Sequence, residues 1–273
     1  MASQLPPFPS NQPFVHLNSP TLNRLLSPDR LIPHLITFLP TFAPSIIYVP
    51  RLGYTLPSPS LSTTSTSTST SSSSSPSPSP NSLSLKTCYS TNPSFPYFSV
   101  GMVTQFSSNP SFLPPLPGMH YVVSLFHSPT GVPLASLDGR SLAYLRVIAV
   151  SGLASFLLSL PTSQTLLFIG SGENAHLVTA HRIARPSINC IIVYNPNFSK
   201  AHDFARELSS REPDCSTVIF DYAKDLDQAI GMADIVCCAA YSRTTNVPIV
   251  KGKLLKPGAH LDLVGSFTYE MKQ

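Results

Sequence analysis

A chain of 273 residues suits one or two domains. Its 42% apolar fraction is enough for a core, while its charged fraction is 11%, against about 25% in an ordinary soluble domain. A formal net charge of only +4, with no basic stripe to neutralise phosphates, excludes an electrostatic nucleic-acid binder.

Met1-Ala2-Ser3 lacks the apolar run of a secretory signal. The start is poor in acids and fairly rich in Ser and Pro, which suits an organellar transit peptide, although Arg is sparse in the first twenty residues. A plastid is the expected location, with the cytoplasm as the alternative. Ser27-Pro28 reads as a helix start, Ser as N-cap and Pro at the first helical position. Leu31, Leu35, Phe38 and Leu39 then share a face. Residues 31–49 are the most apolar early stretch, but Pro33, Pro40, Pro44 and His34 interrupt it. A bilayer needs about 20 mostly apolar residues, so no membrane span is expected. Residues 46–49 read as a short β-branched strand. Residues 57–86, mostly Ser, Thr and Pro, bury too little apolar surface to offset their ordering entropy and read as a disordered loop.

Beyond this loop, 98–106 and 121–126 are strand-like. Turn chemistry at Ser128-Pro129-Thr130-Gly131 leads into a returning strand at 132–137. Residues 141–160 form a long apolar helix. Strict alternation follows: strand 165–169, helix 175–184, strand 190–194, helix 200–209, strand 217–220, helix 226–232, then strands 235–239 and 260–264. Such alternation implies an α/β fold with a parallel, doubly wound sheet behind an α+β unit.

Charge is unevenly placed. Residues 1–137 hold one acid, Asp29, and four bases, Arg24, Arg30, Arg51 and Lys86, so that half cannot supply a carboxylate-rich site. The five cysteines show no C-x-x-C spacing and read as buried free thiols in a reducing compartment. The eight histidines do not cluster at ligand spacing, and no metal site is expected. His260 reads as a packed strand residue rather than a base.

Gly170-Ser171-Gly172-Glu173-Asn174-Ala175 follows an apolar strand and opens a helix. In this G-x-G-x-x-A pattern the first Gly permits the tight turn, the second lets the backbone approach a pyrophosphate, and Ala175 allows close helix–strand packing. Dinucleotide binding by Gly170, Ser171, Gly172, Glu173 and Ala175 is expected; the plain alternative is a tight βα turn. The next strand ends at Asn195, where NAD-binding versions carry an acid, and Lys200 follows. With no acid to repel a 2′-phosphate, NADP(H) is favoured over NAD(H), unless Lys200 is merely a solvated helix residue.

Arg146 is the one charge between residues 141 and 164. A guanidinium on an apolar helix is costly unless paired, and a substrate carboxylate is a natural partner. Arg51, the one charge between Arg30 and Lys86, is a second candidate. Either Arg can equally be a surface residue.

The run Asp138-Gly139 through Leu145-Arg146-Val147 to Ala154, the Gly170–Ala175 turn, and Lys256-Pro257-Gly258-Ala259-His260-Leu261-Asp262-Leu263-Val264-Gly265-Ser266 together resemble the ornithine cyclodeaminase/mu-crystallin family. The resemblance runs from about Arg24 to Gln273, apart from the Ser-rich insertion. The ending, Val247-Pro248-Ile249-Val250-Lys251-Gly252 onward, is similar to the plant branch, reductases that make pipecolate from piperideine-2-carboxylate in defence metabolism.

The resemblance implies a Rossmann-type NAD(P)-binding domain at 141–273 beside an α+β substrate-binding and dimerisation domain at 1–140. It implies a nicotinamide cofactor, a small cyclic imino acid as substrate and a homodimer. Arg51 and Arg146 fall where the family binds the substrate carboxylate. Four positions depart from the family. Its substrate-site Lys falls at Gly101, the Thr after the helix Arg at Val147, the Arg after Asn195 at Pro196, and the cyclodeaminase Asp near Ser242. The loss at Ser242 points away from ornithine deamination and toward a reductase, with its proton donor unidentified. The chain also ends before a further strand and the return to the first domain, so an incomplete Rossmann domain of low stability is expected. Gly101 and this early end favour the alternative, a catalytically impaired nucleotide-binding homologue of mu-crystallin type.

Overall fold

The structure, a computed structural model, describes residues 14–56, 81–170, 175–211, 218–240 and 248–265. The chain forms two compact units, Met1–Leu25 with Pro40–Ala143, and Leu26–Leu39 with Tyr144–Gln273.

The first unit is built on a seven-stranded sheet. Its strands are β1 (Val15–Leu17), β2 (Ile46–Tyr48), β3 (Leu52–Thr55), β4 (Ser82–Ser90), β5 (Tyr97–Gln105), β6 (Met119–His127) and β7 (Pro133–Asp138). They lie in the order β1-β7-β6-β5-β4-β2, and β3 also pairs with β4. All pairs are antiparallel except β1 with β7. A short helix, α1 (Ser19–Leu25), follows β1 and buries Leu22. The turn between β6 and β7 is set by Gly131, whose φ of 70° suits a residue without Cβ. Thr130 Oγ1 lies 2.8 Å from His127 Nδ1 inside that turn.

One expectation needs correcting here. The low-complexity loop was placed at 57–86, but β4 begins at Ser82. Leu83 and Leu85 alternate with Ser82, Ser84 and Lys86, and the strand pairs with β5 on one side and β2 and β3 on the other. Those ladders satisfy the backbone on both edges, and this outweighs the polar composition. Residues 57–80 lie outside the described part.

The second unit contains α2 (Pro28–Phe42) and α3 (Gly139–Leu158), less the ends that group with the first unit, then β8 (Thr165–Ile169), α4 (Ala175–Ala184), β9 (Cys190–Tyr194), α5 (Phe198–Arg211), β10 (Ile219–Tyr222), α6 (Leu226–Met232), β11 (Ile235–Cys238) and β12 (His260–Leu263). All five strands are parallel, in the order β10-β9-β8-β11-β12. Their near-continuous apolar sequences are those of strands covered on both faces. Leu166 and Phe168 face one core with Ile148, Ile191 and Phe204. Leu167 and Ile169 face the other with Ile192, Ile230 and Val236. The expected parallel doubly wound sheet is thus present, as is the α+β unit.

Two further corrections concern helices. Helix α2 lies in sequence inside the stretch assigned to the first domain, yet Ile32, 1% exposed, packs in the core of the second unit. Its face is Leu31, Ile32, Leu35 and Ile36 rather than one reaching to Phe38 and Leu39. Helix α3, with 20 residues, is long and apolar enough to cross a membrane by length and composition. Burial of Leu145, Ile148, Ala149, Ser151 and Ser155 instead marks it as a helix with one face in a core.

Candidate functional site

In the second unit, the strand order reverses between β8 and β11, and ligands of such sheets sit beyond the carboxyl ends of the strands at that point. Gly170 occupies this position. Its φ of 151° is one that L side chains rarely adopt, and a Cβ there would meet Phe168 Cε1 at 3.3 Å and Ala239 Cβ at 3.4 Å. Its N–H donates to Tyr194 O (3.0 Å), and its carbonyl accepts from Asn195 Nδ2 (3.4 Å). Gly170 is therefore tied to the end of β9, and the backbone keeps a site edge free of side chains. Helix α4 starts at Ala175, which is buried against the sheet as the motif requires. Ser171, Gly172 and Glu173 lie outside the described residues, as does Ser242.

Asn195 orders the neighbouring turn as well. Its Oδ1 accepts from Asn197 N (2.9 Å), and Asn197 Oδ1 accepts from Lys200 N (3.3 Å) at the start of α5. Lys200 is exposed there. Sequence reading missed the aromatic group beside it. Phe198 and His202 of α5 meet the Tyr222 ring edge-on, at 4.9 and 5.1 Å between centroids, and Lys224 Nζ lies 5.2 Å over Phe198. Tyr222, Lys224, Gln228 and Met232 line a cavity of about 270 Å³ at the end of β10. The ends of β8, β9 and β10 thus carry Gly170, two lysines and edge-on aromatic rings, a set that fits a dinucleotide.

Arg146 sits on the exposed side of α3. The guanidinium is therefore solvated rather than buried unpaired on an apolar helix, and it offers a ligand an available cation. Arg51, between β2 and β3, is also exposed.

A second group missed by sequence reading lies in the first unit. Pro117, Gly118, Met119, Tyr121, Arg140 and Ala143 line a cavity of about 390 Å³. Lys86 Nζ stands 5.5 Å from the centroid of the Tyr121 ring. Across the ladder Lys86 is directly opposite Gly101.

One histidine joins a cysteine and a carboxylate through residues distant in sequence. His181 of α4, fully buried, places Nδ1 2.6 Å from Ser155 Oγ and Nε2 3.3 Å from Asp262 Oδ2. Cys237 Sγ lies 3.8 Å from the same carboxylate oxygen. These three side chains have the donor types of a cation site, within 4.8 Å of one another. Burial, then the Asp262 charge, pushes the Cys237 thiol well up, so it serves Asp262 as a hydrogen-bond donor. Burial opposes ionisation of Asp262, but hydrogen bonds from His181 and Ser151 outweigh it and hold its carboxyl below the usual range. The group bolts α3 and α4 to β11 and β12. Cys237 and Cys238 are buried free thiols as expected, with Cys238 raised to about 11 by burial. Cys88 and Cys190 are only half-buried, and Cys215 lies outside the described residues.

Residues 89–272 match the ornithine cyclodeaminase/mu-crystallin family. The chain is 39% identical over 250 residues to the Arabidopsis thaliana protein SAR DEFICIENT 4, covering 91% of this chain and 69% of that one. It is 35% identical over 159 residues to the Delta(1)-pyrroline-2-carboxylate reductase of Colwellia psychrerythraea, 58% of this chain and 48% of that protein. Among solved structures, the Thermococcus litoralis Delta(1)-pyrroline-2-carboxylate reductase in complex with NADH and L-proline superposes with a TM-score of 0.66 at 22% identity, over 91% of this chain and 68% of that one. The iminosuccinate reductase of Paracoccus denitrificans in complex with NAD+ gives 0.68 at 17% identity, over 92% and 68%.

Proposed function

This chain belongs to the ornithine cyclodeaminase/mu-crystallin family, and on that premise we propose that it is an NAD(P)H-dependent reductase of a small cyclic imino acid. The observation that carries the proposal is Gly170 at the reversal of strand order, the first residue of a G-x-G-x-x-A sequence that leads to α4. The likeness to the Arabidopsis protein supports a finer reading: a substrate of the piperideine-2-carboxylate type, a pipecolate-like product, and a role in plant defence metabolism.

Gly170, Ser171, Gly172, Glu173 and Ala175 would hold the cofactor pyrophosphate, Asn195 and Lys200 its ribose side. When bound, the reduced nicotinamide supplies a hydride for the imine carbon. Lys200 and Lys224, with no acid at position 195, favour the extra phosphate of NADPH. Arg51 and Arg146 would take the substrate carboxylate as exposed, always-charged forks. Ser242 in place of a cyclodeaminase Asp argues against release of ammonia from ornithine. The acid-poor, Ser- and Pro-rich start supports a plastid location, which an import assay on intact plastids tests. The first unit carries the apolar surface a homodimer needs.

Gly172→Val is the direct test. A bulky side chain blocks close backbone approach to a pyrophosphate. The variant should lose NADPH binding by calorimetry while its far-ultraviolet circular dichroism is unchanged. A folded variant with undiminished affinity would sink the dinucleotide reading. A second reading, a nucleotide binder without turnover, draws on Gly101. It predicts NADPH binding with no reduction of any cyclic imine.

A further inference from the structure

We propose that His181, Cys237 and Asp262 bind a zinc ion inside the second unit, with Ser155 positioning the histidine. All four side chains belong to that unit, and the inference is independent of the reductase reading.

The sheet register brings two of the donors together. Cys237 of β11 pairs directly with Asp262 of β12, so both side chains leave the same face of the sheet. Helices α3 and α4 cover that face, where Cys237 packs in one core with Ile148 and Val178. His181 reaches it from α4 with its side chain fully buried. A carboxylate in such a core needs a counter-charge. The buried Arg185 does not supply it, because its guanidinium donates to the carbonyls of Phe156, Ala184 and Ser159 and to Ser159 Oγ.

The distances fit an ion better than direct hydrogen bonds. His181 Nε2 lies 3.3 Å from Asp262 Oδ2, against about 2.7–2.9 Å for a charge-assisted bond. That buried nitrogen ends without a well-formed hydrogen bond. Cys237 Sγ is 3.8 Å from the same oxygen. Nitrogen and oxygen ligands about 2.0–2.1 Å from one tetrahedral zinc stand about 3.3–3.4 Å apart, and a sulfur at about 2.3 Å stands about 3.5 Å from such an oxygen. The three donors, all within 4.8 Å of one another, are thus close to the edges of a zinc tetrahedron. Ser155 Oγ, 2.6 Å from Nδ1, accepts a hydrogen bond from that ring nitrogen and leaves the Nε2 lone pair for the metal, as hydrogen-bonded partners of ligating histidines do.

The donor types select the metal. Sulfur with imidazole in a four-coordinate set suits zinc, whereas magnesium and calcium take oxygen. One thiolate, one carboxylate and a neutral imidazole balance a divalent ion, so the loaded site buries no net charge. On binding, the Cys237 S–H bond breaks, its proton passes to solvent and a Zn–S bond forms. Asp262 is the one ligand open to solvent, at 15% exposure, and a water on its side fills the fourth position. The ion ties α4 to β12, which among the described residues pairs only with β11.

The test uses the full chain, stripped with EDTA and reloaded with zinc or cobalt(II). Elemental analysis after dialysis should find one zinc per chain, and the melting temperature should rise with added zinc. The cobalt form should show a thiolate charge-transfer band that Cys237→Ala removes. Ser155→Ala should keep the band and bind zinc about 10–100-fold more weakly, the scale of a lost partner behind a ligating histidine. X-ray absorption of the zinc-loaded wild type needs no variant to fold. One sulfur at about 2.3 Å, the rest nitrogen or oxygen at about 2.0–2.1 Å, supports the site. Two or more sulfurs place the ion at other cysteines and overturn it. A folded wild type that retains no zinc, or a band that survives in folded Cys237→Ala, overturns it as well, and unchanged affinity in Ser155→Ala removes the positioning role. No arm reads imine reduction, so each of these failures leaves the reductase reading standing.

Discussion

His260 shows how a single buried ring couples this fold to pH. It is 7% exposed, and its Nε2 has no hydrogen-bond partner among the described residues. Burial, then the neighbouring His181 and Arg185, lowers its pKa, while Asp262 opposes them. A His whose folded pKa lies below its unfolded value costs nothing above the unfolded pKa of about 6.5. As the pH falls through that value the unfolded chain takes up a proton first, and stability drops until the folded pKa is passed. Each unit of difference is worth about 1.4 kcal/mol. Wild-type melting temperature should therefore fall between pH 7 and 5, and His260→Leu should flatten that segment. An unchanged slope in the variant would show that the ring is not responsible. The same scale explains Gly101. In sequence it reads only as a lost Lys; in space it is where the Tyr121 hydroxyl stands, so placing Lys there would displace that ring.

At the scale of elements, Asp234 joins three strands at their amino ends. Its Oδ2 accepts from Gln164 N and Thr165 N (both 2.9 Å), and its Oδ1 from Lys256 Nζ (2.8 Å). Its own backbone bonds to Thr165 O and to His260 N. Burial opposes ionisation, but the Lys256 hydrogen bond and the two N–H groups outweigh it and lower the carboxyl pKa. Asp234→Ala should cost about 2–3 kcal/mol, as for lost hydrogen bonds to a charge, seen as a lower urea midpoint at constant m-value. A depressed carboxyl pKa contributes stability above the unfolded value of about 3.9 and loses it as pH falls through the folded one. The gap between wild type and variant should thus close in acid, and a gap that persists at pH 2 would contradict the assignment. Lys256→Met should cost less, since the ammonium is 39% exposed and partly screened by solvent.

At the scale of the molecule, the first unit exposes an apolar edge. Leu52 and Tyr54 are each 51% exposed, and pairing with β4 puts Ile47 and Tyr89, also exposed, on the same face of the sheet. Contiguous apolar patches of this kind mark interaction surfaces, and a stable interface buries about 800 Å² per partner. The proposed homodimer should use this edge. Sedimentation velocity of wild type should show a concentration-dependent dimer, and Leu52→Glu with Tyr54→Glu should shift it to monomer. A doubly substituted protein that remains dimeric would move the interface elsewhere.

Sequence alone determined the alternation of the second unit. Strands at 165–169 and 190–194 and helices at 175–184 and 226–232 coincide with those observed, because buried parallel strands are short apolar runs and their helices have caps and periodicity of their own. It also determined the glycine directly after β8, Gly170, whose backbone conformation L side chains rarely adopt. Tertiary structure decided the rest. The Ser-rich β4 is a strand because neighbours on both sides satisfy its backbone. Helix α2 joins the second unit through Ile32, a choice of partner that periodicity does not specify. Tyr121, Lys86 and Arg140, like His181, Cys237 and Asp262, come from separate elements. Their meeting depends on register and on the Cβ atoms missing at Gly101 and Gly139, which are facts of packing rather than of spacing along the chain.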